Sequence, residues 1–176
     1  MYRATHAWSY RMNLLNPQVM PNTFSQIYLQ FVFAVQGRRS LIIKQHKTEL
    51  HRYITSLVQA RKAKMLAVHC MPDHTHLFVG FSPSVLICDF VKEIKVESHS
   101  FIENKGWVGK GFHWQDGYGV FSYSRSHIDR VCRYIINQEE HHRKKTFREE
   151  YLGFLEKFGV PYEERYLFDF VEEAAY

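Results

Sequence analysis

Two apolar, β-prone runs, Leu66 to Cys70 and His74 to Phe81, flank the tripeptide Met71-Pro72-Asp73. Proline and aspartate between such runs mark a tight turn, so residues 66–81 are expected to form a β-hairpin. Side chains alternate along a strand, which puts His74 and His76 on one face and Thr75 and Leu77 on the other. The two imidazoles then lie roughly 7 Å apart at Cα. They can converge on one divalent ion if a third ligand comes from elsewhere. By themselves they are equally compatible with two unrelated histidines on a half-exposed strand.

The flanking segments supply partners for the hairpin. Ile27 to Val35 reads as a strand buried on at least one face, and the basic loop Gly37-Arg38-Arg39 follows it. Leu50, Ile54, Leu57 and Val58 recur at helical spacing between Lys47 and Lys64. Leu86, Phe90, Ile94 and Phe101 do the same between Ser84 and Phe101, so both segments are expected to be amphipathic helices. A glycine-broken stretch from Gly106 to Gly119, containing Phe112 and Trp114, is expected to hold the last strand. The order strand, helix, hairpin, helix, strand, helix predicts an α+β fold of ferredoxin-like type. Its antiparallel sheet would carry helices mainly on one face, with a C-terminal helix added. With 176 residues, 45% of them hydrophobic, the chain can build one such core. Residues 1–21 are expected to be a poorly ordered extension, with Met20 a candidate start, and residues 22–176 a single domain.

Composition narrows the function classes. Cys70, Cys88 and Cys132 are odd in number and lack Cys-x-x-Cys spacing, which argues against a disulfide framework or zinc knuckle and for reduced, mostly buried thiols. No apolar run approaches the ~20 residues of a membrane span, and no signal-peptide core follows the N-terminus, so a cytoplasmic protein is expected. A net charge of +5 with 14 Phe and 11 Tyr is compatible with a nucleic-acid partner, since cations track phosphates and rings stack on unpaired bases.

A second signal lies downstream. Ser126-x-x-Asp129 has the form of a capping box before a helix running to about His142, with Ile128, Val131, Cys132, Ile135 and Ile136 as its core stripe. At about 100° per residue, Tyr134, Gln138 and His141 share a face at the border of that stripe. A tyrosine beside a glutamine is, taken alone, also what an ordinary boundary position looks like.

Three ordered segments carry a resemblance: Met71-Pro72-Asp73-His74-Thr75-His76-Leu77, then Trp114-Gln115-Asp116-Gly117-Tyr118-Gly119-Val120-Phe121-Ser122, then Tyr134-Ile135-Ile136-Asn137-Gln138-Glu139-Glu140-His141-His142. Together they resemble the single-tyrosine HUH transposases of the small insertion-sequence type, the group that includes transposases associated with repetitive palindromes, over residues 24 to about 170. In the first strand, where many relatives carry a histidine, this chain has Leu29-Gln30-Phe31.

The resemblance implies an enzyme that cuts and rejoins single-stranded DNA through a 5′-phosphotyrosine, with Tyr134 as nucleophile and His74, His76 and Gln138 as ligands of a divalent metal ion, Mg²⁺ or Mn²⁺. Donor type favours Mn²⁺ and cellular abundance favours Mg²⁺. It also implies single-stranded DNA with hairpin ends as partner, a homodimer with shared active sites crossing over near Gly117 to Ser126, and a bacterial or archaeal source. No nucleotide cofactor is expected, since no Walker-type loop is present. Tyr118, between two glycines, and Tyr123, with no partner four residues on, are weaker nucleophile candidates. Candidate phosphate contacts are Arg38, Arg39, Lys92, Lys95, Arg125, Arg130 and Arg133, with Arg143-Lys144-Lys145 beyond them. Two other readings use the same residues: a domesticated DNA-hairpin-binding protein, and a metal phosphodiesterase with no covalent step.

Overall fold

The computed structural model of the chain describes residues 24–108 and 111–168; the expectation for residues 1–21 lies outside them. Four strands, β1 (Tyr28–Ala34), β2 (Lys64–Cys70), β3 (His74–Gly80) and β4 (Gly119–Tyr123), form one antiparallel sheet in the order β2-β3-β1-β4. Helices α1 (Lys44–Ala60) and α2 (Ile87–Asn104) connect them, giving the ferredoxin-like βαββαβ order. Three C-terminal helices follow: α3 (Ile128–Ile136), the single turn α4 (Gln138–His141) and α5 (Phe147–Lys157).

Strand alternation divides the sheet into two buried faces. Leu29, Phe31, Phe33, Leu77 and Val79 point to one face, where Leu50, Ile54 and Val58 of α1 and Phe90, Val91 and Ile94 of α2 pack on them. Val32, Ala34 and Phe78 point to the other, covered by Val131 and Ile135 of α3 and by Phe147, Tyr151 and Phe154 of α5. Gly119 is required by this second layer: a Cβ there would lie 2.8 Å from the Tyr151 ring. Because α5 closes over β3, His74 and His76 are fully buried instead of half-exposed.

The hairpin, the first strand and the two connecting helices form where the sequence pattern places them, within a few residues at their ends. Four details differ. The last strand begins where the glycine-broken stretch ends, and Trp114 contributes only an isolated bridge to Val35, with its indole N–H donating to Ser98. Ser126 does not cap α3; its hydroxyl bonds Ser124 and His127 instead. The expected single helix to His142 breaks at Asn137 (φ −94°, ψ 24°), which leaves Ile136 exposed rather than in the core stripe. The true capping box is Thr146 with Glu149, starting α5, a helix absent from the sequence reading. Cys88 is exposed, and all three cysteines are free thiols. No helix among the described residues is long and apolar enough to cross a membrane.

Candidate active site

β3 delivers its two histidines to the face covered by α3, α4 and α5. His74 Nδ1 lies 2.7 Å from Asp73 Oδ1 and donates to it, which leaves the Nε2 lone pair facing inward. Asp73 in turn accepts from Arg38 Nε at 3.0 Å and from its terminal nitrogen, and the Arg38 guanidinium stacks 4.2 Å above Phe147. Arg38 reaches this position from a left-handed backbone (φ 51°), an uncommon conformation for a non-glycine residue. Burial alone would raise the Asp73 pKa, but His74 and Arg38 together hold it well below the usual carboxylate range. Burial pushes His74 well below the ordinary imidazole value, so the ring is neutral.

His76 Nδ1 meets the Gln30 carboxamide at 3.2 Å, and Tyr123 Oη donates to the other end of that amide at 3.0 Å. Gln30, the first-strand position without histidine, is therefore a buried contact of the second imidazole. Tyr123 is occupied by that bond and burial raises it to about 12, which removes it as a nucleophile. Tyr118 packs against the opposite face of the sheet.

The tyrosine helix completes the cluster. Tyr134 Oη donates to Glu150 Oε1, and Gln138 Nε2 donates to the same oxygen at 2.9 Å. Tyr134 also stands edge-on to His76, with ring centroids 6.3 Å apart. The structure thus brings Tyr134, Gln138, His74 and His76 together within one chain. Two residues outside the expected set join them: His142 and the buried Glu150. Glu150 Oε2 lies 3.3 Å from His76 Nε2 and 3.4 Å from His142 Nε2, and His142 Nε2 lies 3.1 Å from His74 Nε2. Burial lowers His142 to about 4 and also lowers His141, whose ring stacks edge-on with Tyr134.

The chemistry of this donor set fits a metal ion. His74, His76, His142 and Glu150 each present one ligand atom, all within 4.8 Å of one another. His76 Nε2, Gln138 Oε1 and Glu150 Oε2 are buried without an aligned hydrogen-bond partner. Buried polar atoms left unmatched cost about 1–3 kcal/mol each unless something satisfies them.

The expected phosphate contacts separate into groups. Arg130 and Arg133 line an open cleft of about 1030 Å³ with Tyr134, Lys144 and Lys145. Arg38 is committed to Asp73 instead, and Arg39 donates to the Gly111 carbonyl. Lys95 donates to the carbonyls of Gln115 and Gly117, and burial lowers it to about 8. Lys92 is exposed on α2, which packs on the far face of the sheet from Tyr134, and Arg125 is exposed ahead of α3.

The chain is similar to known transposases in sequence and in fold. The family model for IS200-like transposases matches residues 23–138. The chain is 22% identical over 122 residues to the ISDra2 transposase TnpA of Deinococcus radiodurans, spanning 65% of this chain and 86% of that protein. Its fold is similar to a crystal structure described as a transposase from D. radiodurans R1, with TM-score 0.54 and 22% identity over 66% of this chain and 94% of that one. It is also similar to a REP-associated tyrosine transposase bound to a REP hairpin, with TM-score 0.52 and 18% identity over 68% of this chain and 71% of that one.

Proposed function

The chain belongs to the IS200-like transposase family, and we propose from that premise that it cleaves and rejoins single-stranded DNA at hairpin-bearing element ends, with Tyr134 as the attacking group. The observation that carries this reading is the convergence of Tyr134 with two buried histidines from a different element. A hairpin-binding protein without activity has no use for that convergence, and a phosphodiesterase without a covalent step has none for Tyr134.

An ordinary phenol has a pKa near ~10 and is protonated at neutral pH. Here Glu150 Oε1 accepts the Tyr134 hydrogen bond and is placed to receive that proton as the oxygen attacks phosphorus. The Oη–P bond forms as the P–O3′ bond breaks, leaving a 5′-phosphotyrosine and a 3′-oxyanion that takes a proton from solvent to become the free 3′-hydroxyl. The covalent link conserves the bond energy, so a 3′-hydroxyl can reverse the step without ATP. His74 and His76, with Gln138 as the third ligand the family resemblance implies, would hold a divalent ion. Such an ion, when bound, neutralises charge developing on the scissile phosphate. Imidazole donors favour Mn²⁺ over Mg²⁺ for this role. Arg130, Arg133, Lys144 and Lys145 line the cleft through which the strand reaches Tyr134.

The test is incubation with Mn²⁺ or Mg²⁺ and a labelled single strand bearing the element's terminal hairpin. A covalent protein–DNA adduct is expected that Tyr134→Phe abolishes; cleavage that survives this substitution refutes the reading. A homodimer with shared active sites is part of the proposal, and mixing tests it. Tyr134→Phe chains and His76→Ala chains are each inactive alone, and adduct formation restored on mixing reports exchange of the tyrosine helix. Continued inactivity assigns each site to one chain.

A further inference from the structure

We infer that the smaller cavity beside Tyr134 is a subsite for one unpaired base, that of a nucleotide flanking the scissile phosphate, and that Gly153 keeps it open. The inference deepens the strand-cleaving reading above and rests on it.

The cavity, about 350 Å³, lies between α3 and α5 and shares Tyr134, Lys145 and Gly153 with the larger cleft proposed for the strand. Its size falls at the lower end of the roughly 300–1,000 Å³ range of small-ligand sites, which suits a single planar base. Tyr123, Val131, Tyr134 and Phe154 give it apolar walls. Two of those rings are held from behind, Tyr123 by its bond to Gln30 and Phe154 by stacking on Phe121 at 4.9 Å. Rings fixed in this way offer a stacking surface with little left to order on binding. Arg130, Lys145 and Lys157 line the same space, and the only acid among its described lining residues, Glu150, is engaged by Tyr134 and Gln138. Cations beside an apolar slot match a nucleotide, with phosphate on the charges and base against the rings.

Gly153 supplies an independent observation. It sits inside α5 with no positive φ to demand glycine, and glycine is the poorest helix former after proline. Packing does not require it either. A Cβ there would meet one described atom within 4 Å, the Lys145 ammonium at 3.3 Å, which is the far end of a flexible side chain. Residue 153 lines both cavities, so a long side chain at this position projects into the space a base needs. A residue that weakens its own helix and leaves a cleft open breaks a local rule where a binding wall calls for it.

The test is a binding cycle with chelator present, so that no strand is cut. The probe is a labelled single strand carrying the element's terminal hairpin, either intact or with one abasic site moved stepwise along its unpaired flank. Wild type is expected to lose about tenfold or more in affinity when the abasic site reaches one position. Gly153→Leu is expected to bind the intact strand more weakly by about the same factor and to be indifferent to that abasic site. Additive losses, with the missing base costing the variant what it costs wild type, overturn the inference, and so does the absence of any sensitive position. Gly153→Ala is expected to melt above wild type, and a lower melting temperature overturns the claim that space alone keeps glycine there. Should Gly153→Leu fail to fold, wild type decides alone: 2-aminopurine at the sensitive position is expected to lose fluorescence through stacking, and unquenched emission overturns the inference. Where Tyr134 forms an adduct, the sensitive position must adjoin the cut, and one elsewhere refutes the assignment. A strand that binds in this way but is never cut refutes the cleavage reading and leaves the base subsite standing, so the two failures are separable.

Discussion

Acidifying the metal-free protein from pH 6.5 to 4 is expected to lower its stability by about 3 kcal/mol through two histidines that take no part in the candidate site. His51 on α1 accepts the backbone N–H of Cys70 through Nε2 at 2.9 Å, and its ring lies 5.7 Å from that of His69 on β2. Burial first, and then the ammonium of Lys47, lower both from 6.5 to about 4. Between those values the unfolded chain binds protons that the folded chain refuses, so stability falls as pH falls through that window. At about 1.4 kcal/mol per pH unit, a fully buried ring would account for about 3 kcal/mol. Both rings are only partly buried, so solvent screening reduces this to about 1.5 kcal/mol each. With a urea slope near 2 kcal/mol per molar, the pair lowers the midpoint by about 1.5 M. Urea unfolding followed by circular dichroism across this range, with chelator present, measures it. The double variant His51→Gln/His69→Gln should fall less steeply than wild type by that amount. Parallel curves for the two proteins would refute the reasoning.

Three further outcomes follow from the second layer of the fold and the cleft. Gly119→Ala should cost about 1–3 kcal/mol by thermal denaturation, because the added methyl meets the Tyr151 ring at 2.8 Å and its hydroxyl at 3.0 Å. Thr146→Ala removes the capping box of α5 and should cost about 0.5–2 kcal/mol, with hydrogen exchange accelerating in 147–157 before it does in the sheet. Arg130→Gln and Arg133→Gln should each weaken single-stranded DNA binding and reduce the slope of log K against log salt by about 0.7, whereas Lys92→Gln on the opposite face should leave the slope unchanged.

The sheet was legible because period-two alternation around Met71-Pro72-Asp73 has one consistent solution, and the pairing of His69 with His76 and Cys70 with Thr75 adopts it. The helices α1 and α2 were legible for the same kind of reason, since each buries one stripe against that sheet. What failed was local chemistry with competing partners. Ser126 has the right spacing to Asp129 for a cap, yet neighbouring Ser124 and His127 take its hydroxyl. Arg38 and Lys95 carry the charge that suggests DNA, yet a carboxylate and two carbonyls lie closer. Charge in a sequence reports what a side chain could bind, and only the fold reports what reaches it first.

Half of the candidate site was legible for a related reason. Spacing pairs His74 with His76 on a strand face and Tyr134 with Gln138 four residues on, and the family resemblance joins the two pairs. Glu150 joins them only through the packing of a third element. A signal for it nevertheless exists: Phe147, Tyr151 and Phe154 form an apolar stripe behind the Thr146–Glu149 cap, and Glu150 falls on that stripe, three residues after Phe147 and four before Phe154. An acid on the buried face of a helix must find partners or stay protonated, which marks it as a functional candidate before any coordinates exist. Its two oxygens then divide the work: Oε1 faces Tyr134 and Gln138, and Oε2 faces His76 and His142. One carboxylate therefore links Tyr134 to the histidine cluster. Any change that moves α5 should disturb both together, whereas a change at Arg130 or Arg133 should weaken DNA binding and leave metal affinity as it was.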